Sequence, residues 1–236
     1  IGGLYASGMT SAEIESLVRT LNWNSAFRDR PARSDMNFRR KQDDREFLVR
    51  FPLGVKSGDF RVPRGLIQGQ RLTQILRRET IAVAGIDDFD RLPTRFRAIA
   101  TDLETGERKV LARGDLAEAL RASLSAPGVF APVELEGRLL VDGGLVENLP
   151  VDVAKEMGVD VVIAVDVGFQ PVGRRDLNSA LAVSNQMLTI MIQRETRRQR
   201  ELLSAGDLLI EPAPSSQIAF DACALMSLIR LSMAGC

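Results

Sequence analysis

The sequence predicts a single α/β domain, and three observations lead to that prediction. Residues 159–167 (VDVVIAVDV) form a nearly continuous β-branched run, which is typical of a strand buried on both faces of a parallel sheet. Residues 177–200 carry apolar side chains at helical spacing. The chain of 236 residues has 45% hydrophobic and 26% charged residues, which is ordinary for a protein with a buried core.

Composition excludes several classes of function. The 31 basic and 31 acidic residues give zero net charge, so no nucleic-acid partner is expected. No apolar run reaches the roughly 18 residues that a membrane span needs, and the two cysteines, Cys223 and Cys236, provide no disulfide framework. Because histidine is absent, a Ser-His-Asp triad and a His-ligated zinc site are excluded. Any hydrolytic base must therefore be a carboxylate or a lysine, and no metal or cofactor is indicated.

Capping and turn signals predict the elements of the first half of the chain. Residues 1–8 (IGGLYASG) match the middle and end of a helix that stops at Gly8, and since no start signal precedes them we expect an upstream part to be missing. Thr10 and Glu13 form a capping box for the next helix. Residues 28–46 are charged and aperiodic, which favours a solvated loop over an anion site. Further predicted elements are a helix over 70–78, strands over 96–101 and 109–111, and a helix capped by Asp115 with Glu118.

Residues 121–150 are the stretch around which the rest of the chain is organised. A hairpin around residues 136–137 leads into a strand over 139–141, which ends in Asp142-Gly143-Gly144. A carboxylate that leaves a strand into two glycines is held rigidly, while the glycines allow another chain or a substrate to approach closely. The alternative is an ordinary turn, since Asp and Gly are common turn residues.

The last third of the chain is predicted to be a short helix, a strand, a long helix and a final strand. Pro150 marks the start of the short helix and Gly158 its end. The arginine-rich end of the long helix is explained by solvation or by contact with anionic lipid. Core packing explains its apolar stripe: Leu177, Leu181, Leu188, Met191 and Ile192. Residues 208–210 form the last short strand.

Three segments, taken together, resemble the patatin-like phospholipase family. They are residues 122–127 (ASLSAP) with Phe130 and Pro132, residues 141–144 (VDGG) with Asn148 and Pro150, and Thr101-Asp102 with Thr105-Gly106. Their order and spacing are specific, and the resemblance covers most of a domain over residues 1–212. Residues 217–236 fit the family poorly, and residues 213–236 are expected to be a divergent or irregular tail.

The resemblance implies a three-layer α/β/α sandwich with a mostly parallel central sheet. It also implies acyl-ester hydrolysis by a Ser-Asp dyad that needs no histidine and no cofactor. Asp142 would be the dyad carboxylate, and Gly143, Gly144 and Asn148 would support its loop. The implied partner is a phospholipid or another lipid ester, with peripheral membrane contact and no nucleic acid.

The sequence departs from the family pattern at the nucleophile. The family serine stands in a G-x-S-x-G elbow, and neither that motif nor a glycine-rich oxyanion loop occurs here. Residues 1–8 resemble the helix after the elbow, so the serine is expected just before Ile1, and Ser7, Ser123 and Ser125 do not match it. The polypeptide as printed is therefore expected to be inactive.

Two other readings of the fold remain open. The first alternative is a non-catalytic lipid-binding or scaffolding domain. The second is a nucleotide-binding α/β domain, which is disfavoured because no phosphate-binding glycine loop is present.

The compartment is unknown from the sequence alone. Residues 39–45 and 67–70 resemble a bacterial branch in which a secreted patatin domain precedes a domain that anchors it to the outer membrane. That resemblance implies a secreted or outer-membrane-associated protein. Without it, a cytoplasmic location is the alternative.

Overall fold

The computed structural model describes residues 1–27, 38, 54–56, 59–61, 67–127, 129–168 and 170–212. The predicted charged loop over 28–46, apart from Phe38, and the predicted tail over 213–236 lie outside the described residues. Within the described part the chain contains both helices and strands, as the α/β prediction requires.

Three short helices open the chain: α1 (Gly2–Ala6), α2 (Ser11–Thr20) and α3 (Trp23–Ala26). Gly8 has a φ of 99°, a left-handed conformation that confirms the predicted helix stop. The capping box is also confirmed. The Thr10 hydroxyl accepts the Glu13 N–H at 3.3 Å, and the Glu13 carboxylate accepts the Thr10 N–H at 2.8 Å.

The largest sheet has four strands in the order β4-β3-β6-β5 and is antiparallel throughout. A separate hairpin, β1 (Gly54–Lys56) with β2 (Asp59–Arg61), precedes it. The four strands are β3 (Ala98–Asp102), β4 (Arg108–Leu111), β5 (Val133–Leu135) and β6 (Arg138–Asp142). Glu136 and Gly137, with φ of 52° and 72°, join β5 to β6 and confirm the predicted hairpin.

The prediction of a mostly parallel central sheet is not met by the described strands. The parallel pairing is between β7 (Ile163–Val165) and β8 (Leu208–Ile210), which form a sheet of their own. Ile163 is 49% exposed, so the predicted burial of this strand on both faces is wrong for the described residues. The β-branched run does indicate a strand, but strand propensity does not specify which strands pair with it.

The main core lies between this four-stranded sheet and two helices, α4 (Gln70–Glu79) and α5 (Leu116–Ser123). Asp115 caps α5 by accepting the Glu118 N–H at 2.9 Å, as predicted. Core residues from both layers, and Phe89 from the 3₁₀ turn over Phe89–Arg91, are fully or almost fully buried; those of the layers are Leu72, Ala100, Leu116 and Leu140.

Two further helices complete the described chain, α6 (Val151–Glu156) and α7 (Ala180–Arg200). Helix α6 follows Pro150 and ends before Gly158, whose φ is 73°, as predicted. The predicted core stripe of α7 is wrong at Leu188 and Met191, which are 40% and 63% exposed. Among the positions of α7 whose burial is described, the buried ones are Thr196 and Gln199, and Gln199 accepts the Asp152 N–H of α6 at 3.1 Å. None of the described helices is long and apolar enough to cross a membrane.

Candidate active site

Asp142 is the last residue of β6 and is held in place through its backbone. Its N–H donates to the Ser125 carbonyl at 2.9 Å, which ties it to the segment after α5. Its carbonyl accepts the Thr101 hydroxyl at 2.8 Å from the neighbouring strand β3. The backbone of Asp142 is therefore bonded both to the segment after α5 and to β3.

One carboxylate oxygen of Asp142 is engaged by its own loop. The Gly144 N–H donates to Oδ1 at 2.8 Å, which forms an Asx turn at the start of a short 3₁₀ turn over Gly143–Leu145. Among the described residues, no group donates a hydrogen bond to the second oxygen, Oδ2. The loop thus orients the carboxylate through one oxygen while the other is available to a hydroxyl group.

Burial changes the proton affinity of this carboxylate. Desolvation raises the pKa of Asp142 above its usual value, and the Gly144 N–H opposes that rise. A carboxylate with a raised pKa is a stronger base, which suits the removal of a proton from an alcohol. The raised pKa and the fixed loop describe the environment of Asp142, and its role as a base stays a prediction.

The two glycines after Asp142 have different neighbours. A Cβ on Gly143 would lie 2.4 Å from the Ile99 carbonyl oxygen, so Gly143 lets the loop pass directly over the backbone of β3. From the sequence, the space beside Gly143 is expected to admit another chain or a substrate. In the structure, strand β3 of the same protein fills that space. A Cβ on Gly144 would lie 3.0 Å from Asn148 Oδ1 and 3.1 Å from Asp142 Oδ1, so this glycine allows the carboxamide and the carboxylate to converge.

Asn148 lies between the ends of two strands. Its Oδ1 faces Gly144, and its Nδ2 lies 3.4 Å from the position of a Cβ on Gly168. Gly168 donates its N–H to Asp166 Oδ1 at 2.8 Å, which repeats at the end of β7 the turn that Gly144 makes with Asp142. Asn148 therefore lies beside both turns, and the hydrogen bond expected from its side chain to the Asp142 loop stays a prediction.

The two turns differ in their charged neighbours. Asp166 accepts hydrogen bonds from the Arg200 guanidinium, with Nε at 3.0 Å from Oδ2, and the Asp166 side chain is 6% exposed. Asp142 has no such cation among the described residues. Of these two aspartates, Asp142 is the one whose second carboxylate oxygen accepts no hydrogen bond from the described residues.

The hydroxyls of Ser125 and Ser7 make local hydrogen bonds. The Ser125 hydroxyl is fully buried, donates to the Arg121 carbonyl at 2.7 Å and accepts from the Arg121 guanidinium. The Ser7 hydroxyl donates to the Leu4 carbonyl at 2.7 Å. Neither hydroxyl donates to the Asp142 carboxylate, so neither forms a dyad with it in this structure.

Arg121 organises the segment that begins with ASLSAP, and sequence reasoning missed it. This guanidinium is 3% exposed, donates to the Gln68 carbonyl at 3.0 Å and lies over the Phe130 ring at 4.8 Å from the centroid. The Ala131 carbonyl also accepts from it, at 3.4 Å. The segment that carries the family resemblance is therefore folded around a buried cation that stands immediately before it.

A second group that the sequence did not reveal surrounds Glu147. Arg108 Nη1 donates to Glu147 Oε2 at 2.5 Å and to Asp152 Oδ2 at 2.7 Å. The three side chains line a cavity of about 360 Å³ together with residues of α7. The partners are 39 and 44 residues apart in the chain, so no local pattern predicts the pairing. No group of acidic or cysteine side chains in the described residues is arranged to hold a metal ion.

Comparison with known proteins identifies the family. The sequence model of the family described as patatin-like phospholipase matches residues 1–155, which include Asp142, Gly143, Gly144 and Asn148. The chain belongs to the patatin-like phospholipase family. The match does not extend to residue 212, so the domain boundary predicted there stays a prediction.

The relatives of this patatin-like chain include bacterial and mammalian proteins. An uncharacterized NTE family protein of Mycobacterium tuberculosis is 35% identical over 109 residues, which are 46% of this chain and 29% of the relative. A second one, from Mycobacterium bovis, is 35% identical over 111 residues, 47% of this chain and 18% of the relative. Patatin-like phospholipase domain-containing protein 7 of Mus musculus is 47% identical over 73 residues, 30% of this chain and 5% of the relative.

These matches cover less than a third of each relative's length. Since a mammalian protein is among them, they do not distinguish the bacterial branch suggested by the sequence. The family does associate the patatin-like fold with hydrolysis of lipids.

Proposed function

We propose that this protein is a lipid acyl hydrolase in which Asp142 is the base of a Ser-Asp dyad. The observation that carries the proposal is the geometry of the Asp142 carboxylate in a chain of the phospholipase family. One oxygen is fixed by the Gly144 N–H, the other accepts no hydrogen bond from the described residues, and burial raises the pKa of the group.

The proposed reaction is a double displacement. The serine oxygen attacks the ester carbonyl carbon as its proton passes to Asp142, and the tetrahedral intermediate then expels the alcohol, which takes that proton. Water hydrolyses the acyl-serine by the same sequence with the acid as product. General-base assistance typically contributes roughly 10²–10⁴-fold in rate, so stabilisation of the oxyanion must supply much of the rest.

We propose that the nucleophilic serine is supplied by a G-x-S-x-G segment outside the 236 residues. Two observations support this. The motif does not occur in the sequence, and the described Ser7 and Ser125 hydroxyls donate to backbone carbonyls instead of Asp142. Helix α1, which resembles the helix after the elbow, supports a position just before Ile1.

The test is covalent trapping with a fluorophosphonate, followed by intact-mass and peptide mass spectrometry. In a protein extended upstream of Ile1, we expect one adduct, on the serine of the elbow, and loss of esterase activity. The 236-residue chain is the matched control and should take up none. An adduct on Ser7, Ser123 or Ser125, or an Asp142→Asn enzyme that keeps its esterase rate, would overturn the dyad.

The second candidate function is a non-catalytic lipid-binding or scaffolding domain. The absence of a hydroxyl partner for Asp142 among the described residues favours it. In that case the extended, folded protein would show no adduct and no esterase activity but would still bind lipid. Such a result would make Asp142 a turn residue.

We also propose peripheral contact with an anionic lipid surface through helix α7. One face of this helix exposes Val183, Met187, Ile190 and Met191, and exposed arginines follow at Arg194, Arg197 and Arg198. Apolar insertion combined with basic residues is the pattern that binds anionic membranes.

The test is sedimentation of the protein with vesicles that contain phosphatidylserine. Less of the Met187→Ser/Met191→Ser protein than of the wild type should sediment with the vesicles. Ile81→Ser, at another exposed apolar position, should leave the sedimented amount unchanged.

We also propose where the protein is located, and this proposal rests on a sequence resemblance. Residues 39–45 and 67–70 support a secreted or outer-membrane-associated protein. Cell fractionation with an epitope-tagged full-length protein tests this, and recovery in the cytoplasmic fraction alone would contradict it.

A further inference from the structure

Arg108 joins the four-stranded sheet to the loop that follows Asp142. It lies on β4, and its Nη1 atom contacts Glu147 Oε2 at 2.5 Å and Asp152 Oδ2 at 2.7 Å. Glu147 belongs to the Asp142 loop and Asp152 to the first turn of α6. A single guanidinium therefore fixes the far end of the loop to the start of the next helix.

Arg108 lies in the same cross-strand row of the sheet as Thr101, the residue whose hydroxyl donates to the Asp142 carbonyl. Arg108 is directly opposite Thr101, and Thr101 is directly opposite Val141. Residues directly opposite one another in antiparallel strands share a face of the sheet. The Thr101 hydroxyl donates to the Asp142 carbonyl at 2.8 Å, at the beginning of the loop. Arg108 donates to the Glu147 carboxylate, at the end of the loop. Two residues of one cross-strand row therefore bind both ends of the Asp142 loop.

The loop between these two contacts is closed by its own hydrogen bonds. The Gly143 carbonyl accepts the Val146 N–H at 3.1 Å and the Glu147 N–H at 2.8 Å. The Gly144 N–H, in the middle of the same segment, orients the Asp142 carboxylate. A displacement of Glu147 is thus transmitted through the Gly143 carbonyl to the turn that carries Gly144.

Glu147 depends on Arg108 because it has little contact with solvent. The residue is 5% exposed, and its Oε1 atom is buried without a hydrogen-bond partner among the described residues. The cavity beside Glu147 is also lined by Arg108 from β4, Asp152 from α6, and Glu195, Arg198 and Gln199 from α7. A buried carboxylate that loses its cation is strongly destabilised, so the loop would have to rearrange or take up a proton.

We propose that Arg108 is a positioning residue for Asp142, acting through Glu147 and the hydrogen-bonded loop between them. The catalytic consequence rests on the proposed role of Asp142 as the base. The structural consequence does not, because the Gly144 N–H bond to Asp142 exists whether or not the carboxylate takes part in a reaction.

The first experiment measures amide hydrogen exchange by NMR in the 236-residue chain. Arg108→Met should accelerate exchange at the Gly144 and Glu147 amides by about tenfold or more, while amides of α4, on the other side of the core, keep their wild-type rates. Thr101→Val, which removes the direct hydrogen bond to Asp142, sets the scale of the effect. Arg77→Met is the matched control, because Arg77 makes an exposed pair with Glu118 far from the loop in sequence.

The second experiment measures steady-state kinetics in the protein that carries the nucleophile. Arg108→Met should lower kcat about tenfold or more with little change in KM, since substrate contacts are kept and only the base is misplaced. If exchange changes and kcat does not, the loop is positioned by Arg108 but Asp142 is not the base, which refutes the proposed function alone. Wild-type exchange at Gly144 in a folded Arg108→Met protein overturns the positioning role.

If the Arg108→Met protein does not fold, Arg108→Lys is tested instead, because it keeps the charge on a shorter, non-planar donor. Faster exchange at the Gly144 amide supports the positioning role, and an unchanged rate overturns it.

Discussion

Gly143 lies directly against Ile99, so that a Cβ on Gly143 would stand 2.4 Å from the Ile99 carbonyl oxygen and 2.6 Å from its carbon. These are backbone atoms of β3 and cannot move aside without disturbing the sheet. Gly143→Ala should therefore lower the free energy of unfolding by about 1–3 kcal/mol or more, as overpacking does. Chemical denaturation measures this. Gly173→Ala is the control, since nothing lies within 4 Å of that Cβ position and its φ is −72°; equal effects of the two would contradict the close approach.

Asp142→Asn should stabilise the fold near neutral pH while it removes the proposed activity. Burial raises the pKa of Asp142, so its ionisation opposes folding as the pH rises above the ordinary value of 3.8. The amide keeps the acceptor for the Gly144 N–H without carrying a charge. The difference in Tm between variant and wild type should thus be small near pH 4 and grow toward pH 7. In the protein with its nucleophile, the esterase rate should fall roughly 10²-fold or more; a Tm difference that shrinks with pH would contradict the burial effect.

Glu147 should make stability fall as the pH rises from about 4.5 to about 7. Burial raises the pKa of Glu147 from 4.5 to about 7, the hydrogen bond with Asp152 adds to the rise, and Arg108 opposes it. The folded state therefore binds this proton more tightly than the unfolded state, and the stabilisation is lost as the pH rises through the higher value. Glu147→Gln should flatten the curve of unfolding free energy in that window. Glu118→Gln, at an exposed ion pair, should keep the wild-type slope.

Asp152 should act in the opposite direction at acid pH. Burial favours its neutral form, but hydrogen bonds from Glu147, Arg108 and the Val153 N–H outweigh this, so the pKa of Asp152 is lowered from 3.8. Its contribution to stability is present above 3.8 and is lost as the pH falls through the lower value. Asp152→Asn should therefore remove part of the acid sensitivity seen in denaturation below pH 4, and an unchanged acid limb would contradict the pairing.

Arg121→Met should destabilise the protein by about 2–4 kcal/mol, because hydrogen bonds to a buried charged group are among the strong ones and the variant loses them. The Gln68 carbonyl and the Ser125 hydroxyl would each lose a donor. Arg121→Lys should not restore stability, since an ammonium cannot both reach these acceptors and lie flat on Phe130. Arg78→Met, at a side chain that is 69% exposed, should change the unfolding free energy by less than about 0.5 kcal/mol.

The features that the sequence predicted well are those whose partners lie within a few residues. The capping box of Thr10 with Glu13, the cap of Asp115, and the glycine at position 158 each depend on local backbone geometry, and each is present as predicted. The orientation of Asp142 by the Gly144 N–H belongs to the same class.

The features that the sequence did not predict depend on contacts between distant segments. The pairing of β3 with β6 joins residues about forty positions apart, and nothing in either strand states that they run antiparallel. Arg108 meets Glu147 across a similar distance, so its role is visible only once the sheet has formed. Periodicity also misplaced Leu188 and Met191, because a helical stripe shows which side chains share a face and not whether a partner covers that face.

The matched turns at Asp142 and Asp166 form an internal comparison within one molecule. Asp142 is the last residue of one strand and Asp166 follows another, and each accepts the N–H of a glycine two positions later. At Asp166 the Arg200 guanidinium forms an ion pair with the carboxylate, which connects α7 to the end of β7. At Asp142 the described residues supply no such cation, and none of them donates a hydrogen bond to Oδ2. The reactivity proposed for Asp142 would then depend on what its turn lacks: the chain forms the same turn twice, and among the described residues only the Asp166 copy is paired with a cation.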